Sequence, residues 1–437
     1  MQYRARQMRI QSNRSNSKER SRLLREAEAI LRECISMDAE DGRAYVILGK
    51  ILVQQRRYDQ AEALYESGCA ATGGVNAFLW TAWANLAVKR GNVSLGRKLF
   101  DAAVVAKSSH AAAYHGWGLL EKSQGRLARA RDIWIRGIDA TRPNSSPYLF
   151  QSLAVLAAEL NKPDEARRWF RDGTQTGSGA DSHALWHAWA VLESKEESDP
   201  GLVRELFQRG LKASPRSRYT YLSWALWEKK LGNVEKAREL FRRGSNLNRG
   251  DAALLQGWAL MEEEEGDLDK CRDLFKRASM VDSKHLYVWQ GWGCMEQRAG
   301  NVDAARELFQ QGVWAAPPRA KGTSLIFQAW ALLEKDEGNY ELARERFKCA
   351  VKADPSSQPS WMAWAKMEED VGLVTRAAEL RNYGMQEEQI VNAPINFTTL
   401  KPESKDGLLS PLFSQLAKWF HRYESASSDG WKEQNEK

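Results

Sequence analysis

Apolar residues along the chain fall into paired stripes of helical period, and the pair recurs at a nearly fixed interval. The clearest marker is an apolar residue near the middle of each first stripe, followed by Ala or Gly. It falls at Leu48, Trp83, Trp117, Leu153, Trp189, Trp224, Trp258, Trp292, Trp330 and Trp364, in steps of 35, 34, 36, 36, 35, 34, 34, 38 and 34 residues. A period of this size is one helix–turn–helix unit per repeat. Three residues before the marker stands an aromatic or Leu: Trp80, Tyr114, Phe150, Trp186, Tyr221, Leu255, Trp289, Phe327 and Trp361. Positions three and four apart share one helix face, and Ala84, Gly118, Ala190 or Gly293 behind the marker lets a neighbouring helix approach closely.

Between the two stripes comes a Gly-Asn or Gly-Asp pair, as at Gly91-Asn92, Gly232-Asn233, Gly266-Asp267, Gly300-Asn301 and Gly338-Asn339. Gly suits the residue after a helix C-terminus, and Asn or Asp can cap the next helix. The second stripe then reads Ala-Arg-x-Leu-Phe-x-x-Gly, for example Ala237–Gly244 and Ala305–Gly312. One such unit cannot bury its apolar face alone, so the units must stack. The pattern predicts an all-α solenoid of about ten helix–turn–helix repeats over residues 26–385. The ends should differ: Ala27–Ile35 reads as a lone second helix. An irregular connector is expected at 386–409 and a capping helix at 410–424, striped by Leu412, Phe413, Leu416, Trp419, Phe420 and Tyr423. A disordered tail, 425–437, would follow. A partner-binding role for that last helix is the alternative to closing the stack.

Composition changes this picture little. The chain has 437 residues, 18 Trp and only 12 Pro. No apolar run reaches the roughly 20 residues that cross a bilayer. Five scattered cysteines and six histidines show no metal-ligand rhythm, so reduced thiols and no metal or other cofactor are expected. Charge is more informative. The formal net charge is +7, and residues 1–25 hold eight Lys and Arg against Glu19 alone, so that the remaining 56 basic and 56 acidic residues cancel. This basic arm, expected to be flexible, reads either as a phosphate-contacting tail or as the remnant of an organelle-targeting segment.

The pattern Trp-x-x-Trp-Ala-x-x-x-Glu, turn, Ala-Arg-x-Leu-Phe-x-Arg-Gly, clearest at Trp224–Gly244, Trp289–Gly312 and Phe327–Ala350, resembles the half-a-tetratricopeptide repeat family. That family's paired Glu and Arg match here as Glu121 with Arg131, Glu193 with Arg204, and Glu228 with Arg238. They continue as Glu262 with Arg272, Glu296 with Arg306, and Glu334 with Arg344. Arg97 and Arg167 stand in repeats that have Ala87 and Ala157 in place of Glu, and Glu368 faces Ala378. Either the repeats have drifted with other partners found, or those two arginines are left for phosphate. The resemblance implies RNA processing. With the tail Asn392–Leu400 it is similar to plastid members of the family, implying a chloroplast factor that binds a photosystem II transcript leader. Such a factor would block exonuclease and aid translation. A protein-binding scaffold of an RNA-processing complex, plastid or nuclear, is the alternative. An enzyme is disfavoured, since no nucleophile–base, paired-carboxylate or phosphate-loop arrangement appears.

In superhelices of this kind first helices line the concave face, and the residue after the leading aromatic points into the groove. That gives an RNA-reading column of Thr81, His115, Gln151, His187, Gln256, Gln290 and Gln328, broken by Leu222. Long uncharged donor–acceptor side chains can read base edges, one per repeat, for a footprint of about ten nucleotides of single-stranded RNA; DNA is not expected. The same face offers phosphate ligands at Lys50, Asn85, Lys89, Lys122, Lys195, Lys230, Arg298 and Lys335. The repeated Trp pairs are expected in the core, with off-stripe Trp227 and Trp314 as the candidates for base stacking.

Overall fold

The computed structural model describes residues 1–12, 17–142, 145–317 and 320–391. Among them every regular element is a helix. They form two compact units, Met1–Leu120 and the stretch from Glu121 onward, with the boundary inside the first helix of the third repeat. Within each unit, helices adjacent in sequence pack as antiparallel pairs and each pair stacks on the next.

Ten repeats are present where the periodicity predicts them. The first helices of repeats 5 to 8 are His183–Lys195, Arg218–Lys230, Ala252–Glu264 and Leu286–Arg298; their second helices are Pro200–Ala213, Val234–Leu247, Leu268–Val281 and Val302–Ala315. Repeats 9 and 10 follow as Thr323–Asp336 with Tyr340–Ala353, and Gln358–Asp370 with Val374–Val391. The turn glycines have the left-handed backbone that only Gly adopts without strain, for example Gly232 at φ 81° and Gly300 at φ 80°. The geometry outlasts the glycine: Arg56, Asn161 and Glu197 take positive φ at the same turn of repeats 1, 4 and 5. Capping is only partly as expected. Asn92 and Asp267 accept from Leu95 and Lys270 backbone N–H groups, whereas the amides of Asn233, Asn301 and Asn339 turn inward to a buried glutamate.

The basic arm is a correction. Gln2–Ser12 and Ser17–Met37 are helices. Ala5 is buried in one core with Leu24, Ala27, Leu31 and Leu48. Small and apolar residues on one face suffice to dock these segments, while most of the arginines stay outside. At the other end Val374–Val391 is helical past residue 386, so the expected connector cannot begin there. The capping helix at 410–424, the rest of the connector and the tail lie outside the described residues. No described helix is long and apolar enough to cross a membrane. Of the cysteines, Cys69 and Cys271 are fully buried, and burial pushes the Cys271 thiol up to about 12.

Candidate nucleic-acid interface

The glutamates and arginines do pair, but not as read within one repeat: the recurring pair joins two repeats. Arg204 pairs with Glu228 at 2.8 Å, Arg238 with Glu262 at 2.7 Å, Arg272 with Glu296 at 2.8 Å, Arg306 with Glu334 at 2.9 Å and Arg344 with Glu368 at 2.8 Å. In every case an arginine early in one second helix reaches the last turn of the following first helix. Each glutamate is buried and also accepts from the indole N–H of its own marker tryptophan, as Trp258 does to Glu262 at 2.7 Å. The marker ring stacks on the phenylalanine of the preceding repeat, Trp258 on Phe241 and Trp364 on Phe347. Charge, indole and ring stacking thus converge on one junction.

This offset accounts for departures that looked like drift. Arg167 is not available to phosphate: it holds Glu193 of the next repeat at 2.9 Å. Glu368 faces Ala378 because its partner lies one repeat earlier, in Arg344. Ala87 lacks a carboxylate where the preceding repeat lacks the arginine and carries Glu62. Arg131 has Ala157 at the expected acceptor position and reaches Glu165 instead, at 2.8 Å. Glu121 lies 3.8 Å from Arg126 and 4.0 Å from Arg129.

The predicted base-reading column is largely interior. Thr81, Gln151, His187, Gln256 and Gln328 are buried, and His115 and Gln290 are half-buried. Thr81 bonds its own helix at Ala77 O. The others shown with partners reach the next repeat: His187 Nε2 lies 3.0 Å from Ser223 Oγ, Gln256 donates to Tyr287 O at 3.1 Å, and Gln328 accepts from Ser360 at 3.1 Å. Donor–acceptor side chains are needed here because first helices of neighbouring repeats press together and leave polar groups away from water. His187, Gln256 and Gln328 therefore hold neighbouring repeats together and do not present free base-reading edges.

Burial has a pH consequence. Desolvation pushes the His115 and His187 imidazoles down to about 4. In the unfolded chain they would protonate near 6.5. Their contribution to stability is complete above that value and is lost as pH falls toward 4. His187→Gln, the residue type already present at Gln256, is expected to flatten the loss of stability between these limits. Urea unfolding at several pH values measures it; an unaltered pH profile would contradict the assignment.

Most of the predicted phosphate ligands are already engaged. Lys122 pairs with Glu159, Arg298 with Glu263 and Lys335 with Asp370, each at 2.7 Å, and Lys230 approaches Glu197 at 3.5 Å. Burial, then Arg9 and Arg6, lowers the Lys50 pKa, and Lys89 sits over the Tyr58 ring. Asn85 and Lys195 are exposed. Trp227, expected as a stacking surface, is buried against Phe207 and Arg204. Trp314 is 76% exposed.

Two features escape the column-by-column reading. Lysines and arginines without carboxylate partners gather where second helices end, and tyrosines (Tyr219, Tyr287) sit at the starts of first helices. The signal was present in the local charge balance of the inter-repeat loops, which a search restricted to the first helices does not sample.

A tetratricopeptide-repeat family model matches residues 13–75 and 81–146. The chloroplastic PsbB mRNA maturation factor Mbb1 of Chlamydomonas reinhardtii is 46% identical over 224 residues, 50% of this chain and 34% of that protein. Protein high chlorophyll fluorescent 107 of Arabidopsis thaliana is 51% identical over 89 residues, 20% of this chain and 14% of that one. The chain thus spans about a third or less of the length of these relatives. Among solved structures, a tetratricopeptide repeat protein from Parabacteroides merdae aligns with 69% of this chain and 96% of its own, at 14% identity and TM-score 0.40. The described residues thus form ten helix pairs, with no regular element other than helices among them, and over residues 13–75 and 81–146 these match repeats of the tetratricopeptide type.

Proposed function

We propose that this chain is a chloroplast RNA-binding repeat protein that takes part in mRNA maturation by occupying single-stranded RNA at a transcript 5′ leader. Bound there it would block exonuclease and keep the start region open for translation. The observation that carries this is the 46% identity, over 224 residues, to a protein named as an mRNA maturation factor. A mechanism by occupancy suits a stack of helix pairs whose recurring Glu–Arg pairs are spent on holding the stack. The test is to recover RNA bound to the chain in chloroplasts and sequence its ends. One sharp footprint at a transcript 5′ end is the expected result. Recovery of no RNA, or of fragments with diffuse ends, would favour a protein-binding scaffold instead.

A further inference from the structure

In repeats 5 to 8 the two edges of the helix stack carry opposite charge. At one edge, second helices end and first helices begin. Residues 212–219, 242–251 and 276–287 there hold nine Lys and Arg against two Asp. At the other edge, first helices end and second helices begin. Residues 192–199, 227–235 and 260–269 hold twelve Asp and Glu against three Lys. Helix dipoles do not demand this. Each edge combines the C-termini of one set of helices with the N-termini of an antiparallel set, so their end charges oppose one another. The run Glu262–Glu265 at a helix C-terminus and Arg218 at a helix start both run against their own dipoles.

Six of the nine cations of the basic edge are also uncommitted. Lys212, Arg216, Arg243, Arg249, Lys276 and Lys284 are exposed, two per repeat, and none lies in an ion pair with a carboxylate among the described residues. Aromatic rings line the same edge. The Arg218 guanidinium lies over the Tyr219 ring, 4.4 Å from its centroid, and is fixed by Asp251 of the next repeat at 2.8 Å. His285, which feels both Asp251 and Arg218, stands beside Tyr287 with ring centroids 5.9 Å apart. Tyr287 is 41% exposed. Ala253 occupies the corresponding position of the repeat between them, so that a short side chain stands between the two tyrosines in the repeat order. The buried column steadies this row from beneath: Gln256 bonds the Tyr287 carbonyl, and His187 bonds the backbone of Tyr219.

We infer that single-stranded RNA runs along this edge, with the six free cations on phosphates and Tyr219 and Tyr287 stacking on bases. The inference rests on the RNA reading proposed above and moves the contact surface away from the first-helix faces. A cationic track with interleaved rings binds single strands by neutralising the backbone and stacking on any base.

The test uses the 437-residue chain and a fluorescein-labelled single-stranded RNA of mixed sequence, about 20 nucleotides long, followed by anisotropy across salt concentrations. The variant Arg216→Glu/Arg249→Glu/Lys284→Glu should bind at least about 30-fold more weakly, with a log–log salt slope shallower by about 2. Tyr219→Ala/Tyr287→Ala should lose about tenfold with its salt slope unchanged. Lys195→Glu/Lys230→Glu, on the opposite edge, should stay within about threefold of the unaltered chain. All the altered side chains are at least partly solvent-facing, and circular dichroism confirms that each variant keeps its helices. If the unaltered chain binds and the Lys195/Lys230 variant is the weaker one, or the two charge variants are alike, this edge is wrong while RNA binding stands. If the unaltered chain does not bind, both readings are overturned.

Discussion

Glu262→Ala is expected to destabilise the junction between repeats 6 and 7 by about 3 kcal/mol, the scale of breaking one side of a buried ion pair. Glu262 is fully buried and receives Arg238 at 2.7 Å, Lys270 at 2.6 Å and the Trp258 indole at 2.7 Å. Alanine leaves the indole N–H without its acceptor and two cations facing one another. Both cations keep some water, which holds the loss below the upper end of the range. Glu262→Gln retains an acceptor for Trp258 and should cost about 1–2 kcal/mol. Because repeats contact only their neighbours, the effect should be local. Hydrogen exchange should speed in Val234–Leu247 and Ala252–Glu264 well before it does in repeat 10. A double-mutant cycle with Arg238→Met gives the decisive measurement: additive costs would show that the pair does not couple the two repeats.

The same group sets an acid limit. Burial pushes the Glu262 carboxyl up, but hydrogen bonds from Arg238, Lys270 and Trp258 outweigh it and leave the pKa at about 2. Its folded value lies below its unfolded one. The stabilisation is therefore present above about 4.5 and lost as pH falls toward 2. Glu193, Glu228, Glu296, Glu334 and Glu368 are lowered in the same direction. Acid should loosen the junctions together, mostly below the range over which the buried histidines lose their contribution.

Gly293→Leu should cost about 3 kcal/mol or more, by overpacking. A Cβ at Gly293 would lie 2.8 Å from Cδ1 and Cζ of Phe309, and nearer still to Cε1. Phe309 cannot easily yield, being fully buried and stacked on Trp330 of the following repeat. Gly293→Ala adds that same Cβ, and its gain of about 1 kcal/mol in helix propensity does not offset the contact, so it should also destabilise, though by less than leucine. Thermal unfolding of the two variants separates the cases. An alanine variant as stable as the unaltered chain would mean that close approach is not what this position provides.

Much of the stack was legible before any coordinates. The markers from Leu48 to Trp364, the small residues behind them and the Gly-Asn turns suffice to place ten helix pairs, because helical period and turn chemistry are local properties. That most of the paired tryptophans are structural also followed from their i, i+3 spacing. Trp227 was misread because it lies off that stripe, yet a second helix packs over it and Phe207 closes the gap. The N-terminal arm was misread for a related reason: its charge is conspicuous in sequence, while the few residues that dock it, such as Ala5, are not.

Partnership was the part that sequence could not reach. Glu228 and Arg238 are neighbours along the chain and fit one repeat, yet Arg238 reaches forward to Glu262. Gln256 looks like a base reader until the next repeat is set against it and its amide meets the Tyr287 carbonyl. Lys335 looks free until Asp370 arrives from the first helix of the next repeat. The sequence by itself determined the repeat, its helices, their turns and which face of each is apolar, since these depend on residues within a few turns of one another. Tertiary structure decided which polar groups are consumed between repeats and which remain for a ligand. That outcome depends on distances between side chains some 24 to 36 residues apart, which stacking alone brings together.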